Sequence, residues 1–255
     1  STPKDFRASN CLYSPPKLMN KRQKMEAGGK SNRASSLLDF MLLVGKLKDL
    51  KRTGWVQCQV QLPESVADHM YRMSMFGLVV AGNCKQTFDR ERVIKMALVH
   101  DLAEALAGDI VPTHISGVSE IDKAQMEEKA LDQICGTLDH AELGAEIKGL
   151  WLEYEKHETN EAKLVKDFDK LEMLIQAYEY EKQQHISLQS FFDHVKAKHE
   201  FFNPEMSGLM EELLNRRSYL VATTPMRHLP RIAAAANTTN TGTIATSTPR
   251  IAAAA

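Results

Sequence analysis

His100 and Asp101 stand side by side in the stretch ALVHDLAEALAGD, residues 97–109, which is otherwise mostly Ala, Leu and Val. Burying an imidazole beside a carboxylate costs several kcal/mol unless something satisfies both. A divalent metal ion would do so, because neutral imidazole and carboxylate are ligands that Zn, Mn, Co and Fe accept. Glu104 follows His100 by four residues, one turn along the same helix face. Asp109 comes directly after Gly108, a residue type that ends helices.

A second imidazole, His69, belongs to the stripe His69, Met73, Phe76 and Val80 and therefore points inward. Alone, such a residue is more often a satisfied core histidine than a ligand. Next to a buried His–Asp pair it becomes a metal-ligand candidate. A fourth ligand must come from farther along the chain, and the segment 160–184 offers Asp167 and Asp169. Asp167 has Lys163 and Lys170 as helix neighbours and reads as part of a solvated face. Asp169 has Val165 and Met173 one turn to either side, so it faces apolar surroundings and is the preferred fourth ligand.

The elements that must position these residues are all helices. Leu37, Leu38, Met41, Leu42 and Leu47 have the spacing of one helix. Val66, Met70, Met73, Gly77 and Val80 mark the next, started by Pro63 and Ser65. Asp89 is a natural N-cap for a third, with the stripe Val93, Ala97, His100 and Glu104. Further periodic segments cover roughly 120–135, 140–156, 160–184, 187–199 and 204–219. No alternating run with hairpin turns is present. The expected fold is all-α, a single bundle of seven or eight helices.

Composition bounds the rest. The 255 residues carry a net charge of -1. That total hides a split: residues 1–33 sum to +6, residues 222–255 to +3, and residues 34–221 to -10. An acidic core is a poor surface for a polyanion, so no nucleic-acid polymer is expected as partner. The longest apolar run, around Met75 to Ala81, is far too short to span a bilayer, and no membrane association is expected. Cys11, Cys58, Cys84 and Cys135 are widely and irregularly spaced, which suggests neither a disulfide framework nor a zinc knuckle. This usage fits a reducing compartment, and a cytoplasmic location is expected. A basic, acid-poor start is also compatible with an organelle transit segment.

Three parts follow: a disordered basic segment over 1–33, a helical domain over 34–221, and a low-complexity tail over 222–255. In the tail, Pro-Arg-Ile followed by four Ala occurs at 230–236 and again at 249–255.

His69, then His100-Asp101, then Asp169 on a helical scaffold is the ordered signature of the HD-domain metal-dependent phosphohydrolases. PESVADHMYRM at 63–73, ALVHDLAEALAGDI at 97–110 and DKLEMLIQAYEYE at 169–181 resemble the 5'-deoxynucleotidase group of that family. RTGW at 52–55 is similar to the segment just upstream in that group. The resemblance covers about 37–220. It implies a helical, commonly homodimeric phosphoric monoester hydrolase of nucleotide metabolism. Such an enzyme cleaves deoxynucleoside 5'-monophosphates to deoxynucleoside and phosphate with a divalent ion, Mn, Co, Mg or Zn.

Carried over by position, His69, His100, Asp101 and Asp169 would hold the metal, and Glu104 and Asp109 would be the catalytic carboxylates. Together with the carbonyl of Ile110, those two can also hold a second divalent ion. Trp55 matches an aromatic residue near the sugar. Bacterial members carry Arg immediately before that Trp to orient the phosphate. Here Gly54 occupies the place, and Arg52 is the nearest candidate. Pro112, Thr113 and His114 match a loop on the phosphate side.

In the expected mechanism Glu104 orients or deprotonates the attacking water and Asp109 assists departure of the 5'-oxygen, with the two roles exchangeable. Two other functions fit the same residues. One is an HD phosphohydrolase acting on a cyclic nucleotide, guanosine tetraphosphate or a triphosphate. The other is a metal-binding regulatory module without turnover, against which the second carboxylate pair, Glu104 and Asp109, speaks. For Trp55 a core plug after a tight Gly turn competes equally with a sugar contact. His157, His185, His194 and His199 sit among polar residues and read as surface histidines.

Overall fold

The computed structural model describes residues 33–80, 88–111 and 117–228. Pro112, Thr113 and His114 lie outside these residues, as do the first 32 and the last 27 residues of the two expected tails.

Helix α1 (Arg33–Gly45) runs into a 3-10 turn (Lys46–Lys48) and is followed by the short α2 (Thr53–Gln57). Next come α3 (Val66–Val79), α4 (Arg90–Val99), the four-residue α5 (Glu104–Ala107), α6 (Glu120–Cys135) and α7 (Ala141–Lys156). The 25-residue α8 (Asn160–Gln184), α9 (Gln189–Lys198) and α10 (Pro204–Thr223) complete the chain. Among the described residues there is no strand; isolated bridges join Lys51 to Ser65 and Ile186 to Arg227. No described helix is long and apolar enough to cross a membrane.

The helix starts follow local chemistry. Ser65 caps α3 in a reciprocal box with Asp68, so two otherwise unpaired N–H groups find acceptors. Asp89, Ser119 and Thr159 accept in the same way at the starts of α4, α6 and α8. The helix expected to run from Asp89 to Glu104 stops at Val99. Beyond it, Leu102 N–H donates to Val99 O (3.0 Å) and Glu104 N–H to Asp101 O (3.1 Å). This i→i−3 pattern tightens the chain and brings residues three apart into line, here Asp101 and Glu104. Gly108, at φ 82°, then ends α5 with a backbone turn that a side chain would resist.

Two apolar clusters hold the bundle. One surrounds α8 and joins Leu164, Phe168, Leu171 and Leu174 to Met73, Val93 and Met96. The other joins Leu43, Leu47, Val66 and Met70 to Leu131, Ile134 and Trp151. Helix α3 contributes to both, Met70 to one and Met73 to the other, and His69 precedes Met70. Gly77 lets α3 press on α4: a Cβ there would stand 3.0 Å from Ile94 Cγ1. Past α10 the chain returns to the bundle, where Arg227 N–H donates to His185 O and Ser187 N–H to Arg227 O, both at 2.8 Å.

Candidate active site

Helix α3, the turn that follows α4, and α8 bring His69, His100, Asp101 and Asp169 together. His69 is fully buried, with its Nε2 3.5 Å from Asp169 Oδ1 and 3.8 Å from Asp101 Oδ2. His100 Nε2 lies 3.2 Å from the same Asp101 oxygen. One ligand atom each from His69, His100 and Asp101 fall within 4.8 Å of one another. The backs of both rings are occupied: His69 Nδ1 meets the Glu172 carboxylate, and His100 Nδ1 donates to Ala97 O at 3.0 Å. Each Nε2 is buried without a hydrogen-bond partner, as is Glu104 Oε2.

Two orphaned imidazole nitrogens set against one carboxylate would be costly if the centre were meant to be apolar. They suit a divalent cation: neutral imidazole nitrogens and carboxylate oxygens form a donor set that holds one. The charges agree. Burial, then the charges of Asp101 and Asp109, push the Glu104 carboxyl up to about 10. Too many carboxylates share too little positive charge there, and a bound divalent ion would relieve the excess. Asp101 and Asp169 are nonetheless held below the carboxylate range against their burial: Asp101 by His100 and Arg52, Asp169 by Lys170 and Lys166. Burial and Arg52 oppose protonation of His69, but with no ion bound Glu172 and Asp169 outweigh them and raise it to about 9, so a cation would bind by displacing the Nε2 proton and leaving the one on Nδ1.

Arg52 reaches this centre. Its Nη1 donates to Asp101 Oδ2 at 3.1 Å, so the Arg two positions earlier than in bacterial members still faces the metal-ligand group. Thr53 fastens Asp109: the Thr53 N–H donates to Asp109 Oδ2 and its hydroxyl to Asp109 O, both at 2.6 Å. Ile110, next to Asp109, is half-buried.

Trp55 is 2% exposed and packs against Tyr180 and Phe191, with ring centroids 5.4 and 4.5 Å away. Its Nε1–H donates to Glu64 Oε1 at 2.8 Å. These surroundings favour the core-plug reading over a sugar contact, because ring and donor are both already engaged.

Asp167, expected on a solvated face, is fully buried. It accepts from His199 Nε2 (2.9 Å), Phe202 N–H (3.2 Å) and Asn203 N–H (2.8 Å). The lysines at 163 and 170 misled because the α9–α10 connection, more than thirty residues later, packs over this side of α8. For the same reason His199 is no surface histidine: its side chain is only 16% exposed.

Glu172 went unassigned in the sequence. It lies one turn after Asp169 on α8, fully buried, and the Asp169+3 spacing was the available signal. Tyr154 was also missed; its hydroxyl donates to Asp169 Oδ2 at 3.1 Å.

The profile of the HD domain family matches residues 44–209. The 5'-deoxynucleotidase HDDC2 of Dictyostelium discoideum is 49% identical over 193 residues, 72% of this chain and 99% of that protein. The human protein of the same name is 43% identical over 191 residues, 74% of this chain and 90% of that one. Among solved structures, the PH0347 protein of Pyrococcus horikoshii OT3 superposes with a TM-score of 0.57 at 33% identity, covering 72% of this chain and 99% of that one. A predicted metal-dependent phosphohydrolase from Magnetospirillum magnetotacticum MS-1 gives a TM-score of 0.58 at 25% identity, covering 74% and 94%.

Proposed function

This chain belongs to the HD-domain family, and from that premise we propose that it is a 5'-deoxynucleotidase, hydrolysing deoxynucleoside 5'-monophosphates to deoxynucleoside and phosphate. The observation that carries the reading is a pair of buried, unpartnered imidazole Nε2 atoms, of His69 and His100, both set against Asp101, with Asp169 Oδ1 3.5 Å from His69.

His69, His100, Asp101 and Asp169 would hold a divalent ion. Two nitrogens and two carboxylates accommodate Mn, Co, Mg or Zn. When bound, the ion supplies positive charge that polarises the phosphoryl group and acidifies water. The chain's own groups do the rest. In the hydrolysis a water oxygen bonds to phosphorus, the bond from phosphorus to the 5'-oxygen breaks, and a proton passes from water towards the leaving oxygen. With a bound ion's charge bringing its raised carboxyl back down, Glu104 would orient the water and accept its proton. Asp109, fixed by Thr53, assists the 5'-oxygen as it leaves. The hydrogen bond to Asp101 uses one of the five N–H donors of Arg52, and the others meet the phosphate. Glu104, Asp109 and the Ile110 carbonyl can take a second ion. Trp55 acts indirectly, by anchoring the segment that carries Arg52 and Thr53. Pro112 and Thr113, outside the described residues, keep the phosphate-side role that the family resemblance implies.

The chain pairs as a homodimer in this reading; the exposed Leu37, Leu38, Met41 and Leu42 of α1 support an apolar contact. A cytoplasmic location agrees with the free thiol at Cys135.

Metal analysis together with phosphate release from every deoxy- and ribonucleoside 5'-monophosphate tests the function. Release from the deoxy substrates, abolished in Asp101→Ala, is expected. Fully metallated protein that releases phosphate from none of them would overturn it in favour of a regulatory module. Preference for cyclic nucleotides, guanosine tetraphosphate or triphosphates would redirect it within the family.

A further inference from the structure

Behind the face of His69 that looks into the site lies a second pair of charged residues, carried by the same two helices. His69 and Asp169 come from α3 and α8; three residues later on each helix come Arg72 and Glu172. Both oxygens of Glu172 are engaged. Oε2 meets His69 Nδ1, and Oε1 accepts from Arg72 Nε at 2.9 Å. Arg72 is also gripped along α8, with Nη2 donating to Gln176 Oε1 (2.5 Å) and Nη1 to Glu179 Oε2 (2.8 Å).

We propose that Glu172 and Arg72 form a positioning pair that holds His69 as a metal ligand and sets how tightly the site binds a divalent ion. A carboxylate behind Nδ1 requires the proton there, since an Nδ1 lone pair would face the Glu172 oxygen. The Nε2 lone pair is thereby left pointing at Asp101 and Asp169. An anion behind the ring also makes Nε2 a stronger donor to a cation. His100 has only the Ala97 carbonyl in the same place, so the two imidazoles are unequal and His69 is the stronger ligand.

A buried carboxylate is expensive unless a cation and good hydrogen bonds compensate it. Arg72, 29% exposed at the edge of the bundle, supplies both. Glu64, His69 and Glu172 also lie within ligand distance of one another. That cluster does not describe another ion site, because Glu64 is committed to the Trp55 N–H and Glu172 to Arg72.

The inference rests on the metal-site part of the proposed function and not on the substrate. Its test therefore uses Mn binding without nucleotide, by calorimetry on the full chain, beside the His69 tautomer read from imidazole 15N shifts. Glu172→Gln keeps the shape and loses the charge. Mn affinity is expected to fall about 10- to 100-fold, with the helical spectrum retained. Arg72→Met is expected to give a smaller loss in the same direction, and Arg72→Lys, which restores a charge, to recover part of it. Should Glu172→Gln fail to fold, the Arg72 pair decides alone. Affinities within twofold of wild type in folded variants, or a melting temperature that drops while Mn affinity does not, overturn the proposal. Failure of the deoxynucleotidase reading would look different: normal Mn binding in the wild type, the same variant pattern, and no phosphate release.

Discussion

Arg52 Nη1 and Asp101 Oδ2 are 3.1 Å apart, and the same oxygen lies 3.2 Å from His100 Nε2 and 3.8 Å from His69 Nε2. A guanidinium therefore shares its carboxylate with the metal-binding centre. Like charges repel, so Arg52 weakens ion binding while supplying charge to a phosphate. Arg52→Ala should bind Mn as tightly as wild type or more tightly, yet lose about 100-fold in kcat/KM. Calorimetry and phosphate release on one preparation check both halves. Weaker Mn binding in the variant would show that Arg52 serves the ion and not the phosphate.

Glu104 is 3% exposed, and one of its oxygens has no partner. Glu104→Gln preserves size and removes the proton acceptor. Turnover should fall about 100- to 10,000-fold, with substrate KM little changed and metal content intact. Wild-type turnover in a metallated Glu104→Gln protein would remove Glu104 from the chemistry.

Asp167 and Asp169 are two residues apart on α8 and should respond oppositely. Asp167→Asn places an amide N–H against the donor from Phe202 or the one from Asn203, since they use different oxygens. Leaving buried donors unsatisfied should cost about 1–3 kcal/mol in urea unfolding, without loss of Mn affinity in the folded fraction. Asp169→Asn should lose the ion first.

Glu153 ties three elements: Arg92 of α4 donates to it, as does the hydroxyl of Thr159, the cap of α8. Burial opposes ionisation, but Arg92 and Thr159 outweigh it and lower the carboxyl below its ordinary 4.5. A depressed folded value means the contribution is present above about pH 4.5 and is lost as pH falls through the folded value. Because Arg92 is nearly half exposed, the contribution is about 0.2–1 kcal/mol. The melting-temperature gap between wild type and Glu153→Gln should be a few degrees at pH 7 and close towards pH 3. A constant gap would assign the effect to packing.

No residue assigned to the site or to positioning its ligands lies beyond Glu179. Removing residues 229–255 should leave phosphate release unchanged. Ending the chain at 221 also removes Arg227, whose backbone pairs with His185 and Ser187. That shorter chain should melt earlier than one ending at His228, at equal turnover per folded molecule. Loss of activity on removing 229–255 alone would give that tail a role.

Much of this protein is determined by sequence alone. Periodicity places His69 inward on α3 and Asp169 towards apolar neighbours on α8, because a helix fixes which side a residue occupies by spacing. Capping residues at 65, 89, 119 and 159 mark helix starts because the N–H groups they satisfy are local. What stands opposite a helix face is not local, and only the tertiary structure decided it. Asp167 looks solvated among its lysines until residues 199–203 close over it. Trp55 finds its ring neighbours, Tyr180 and Phe191, more than a hundred residues away. Glu172 is one more acid in a helix until α3 lays His69 and Arg72 against its two oxygens. The break after Val99 is also invisible in the spacing: residues 100–103 leave the α-helical pattern before α5 resumes it at Glu104. Spacing along the chain names the ligands. The crossing of α3 over α8 decides which carboxylate faces the ion and which stands behind the imidazole.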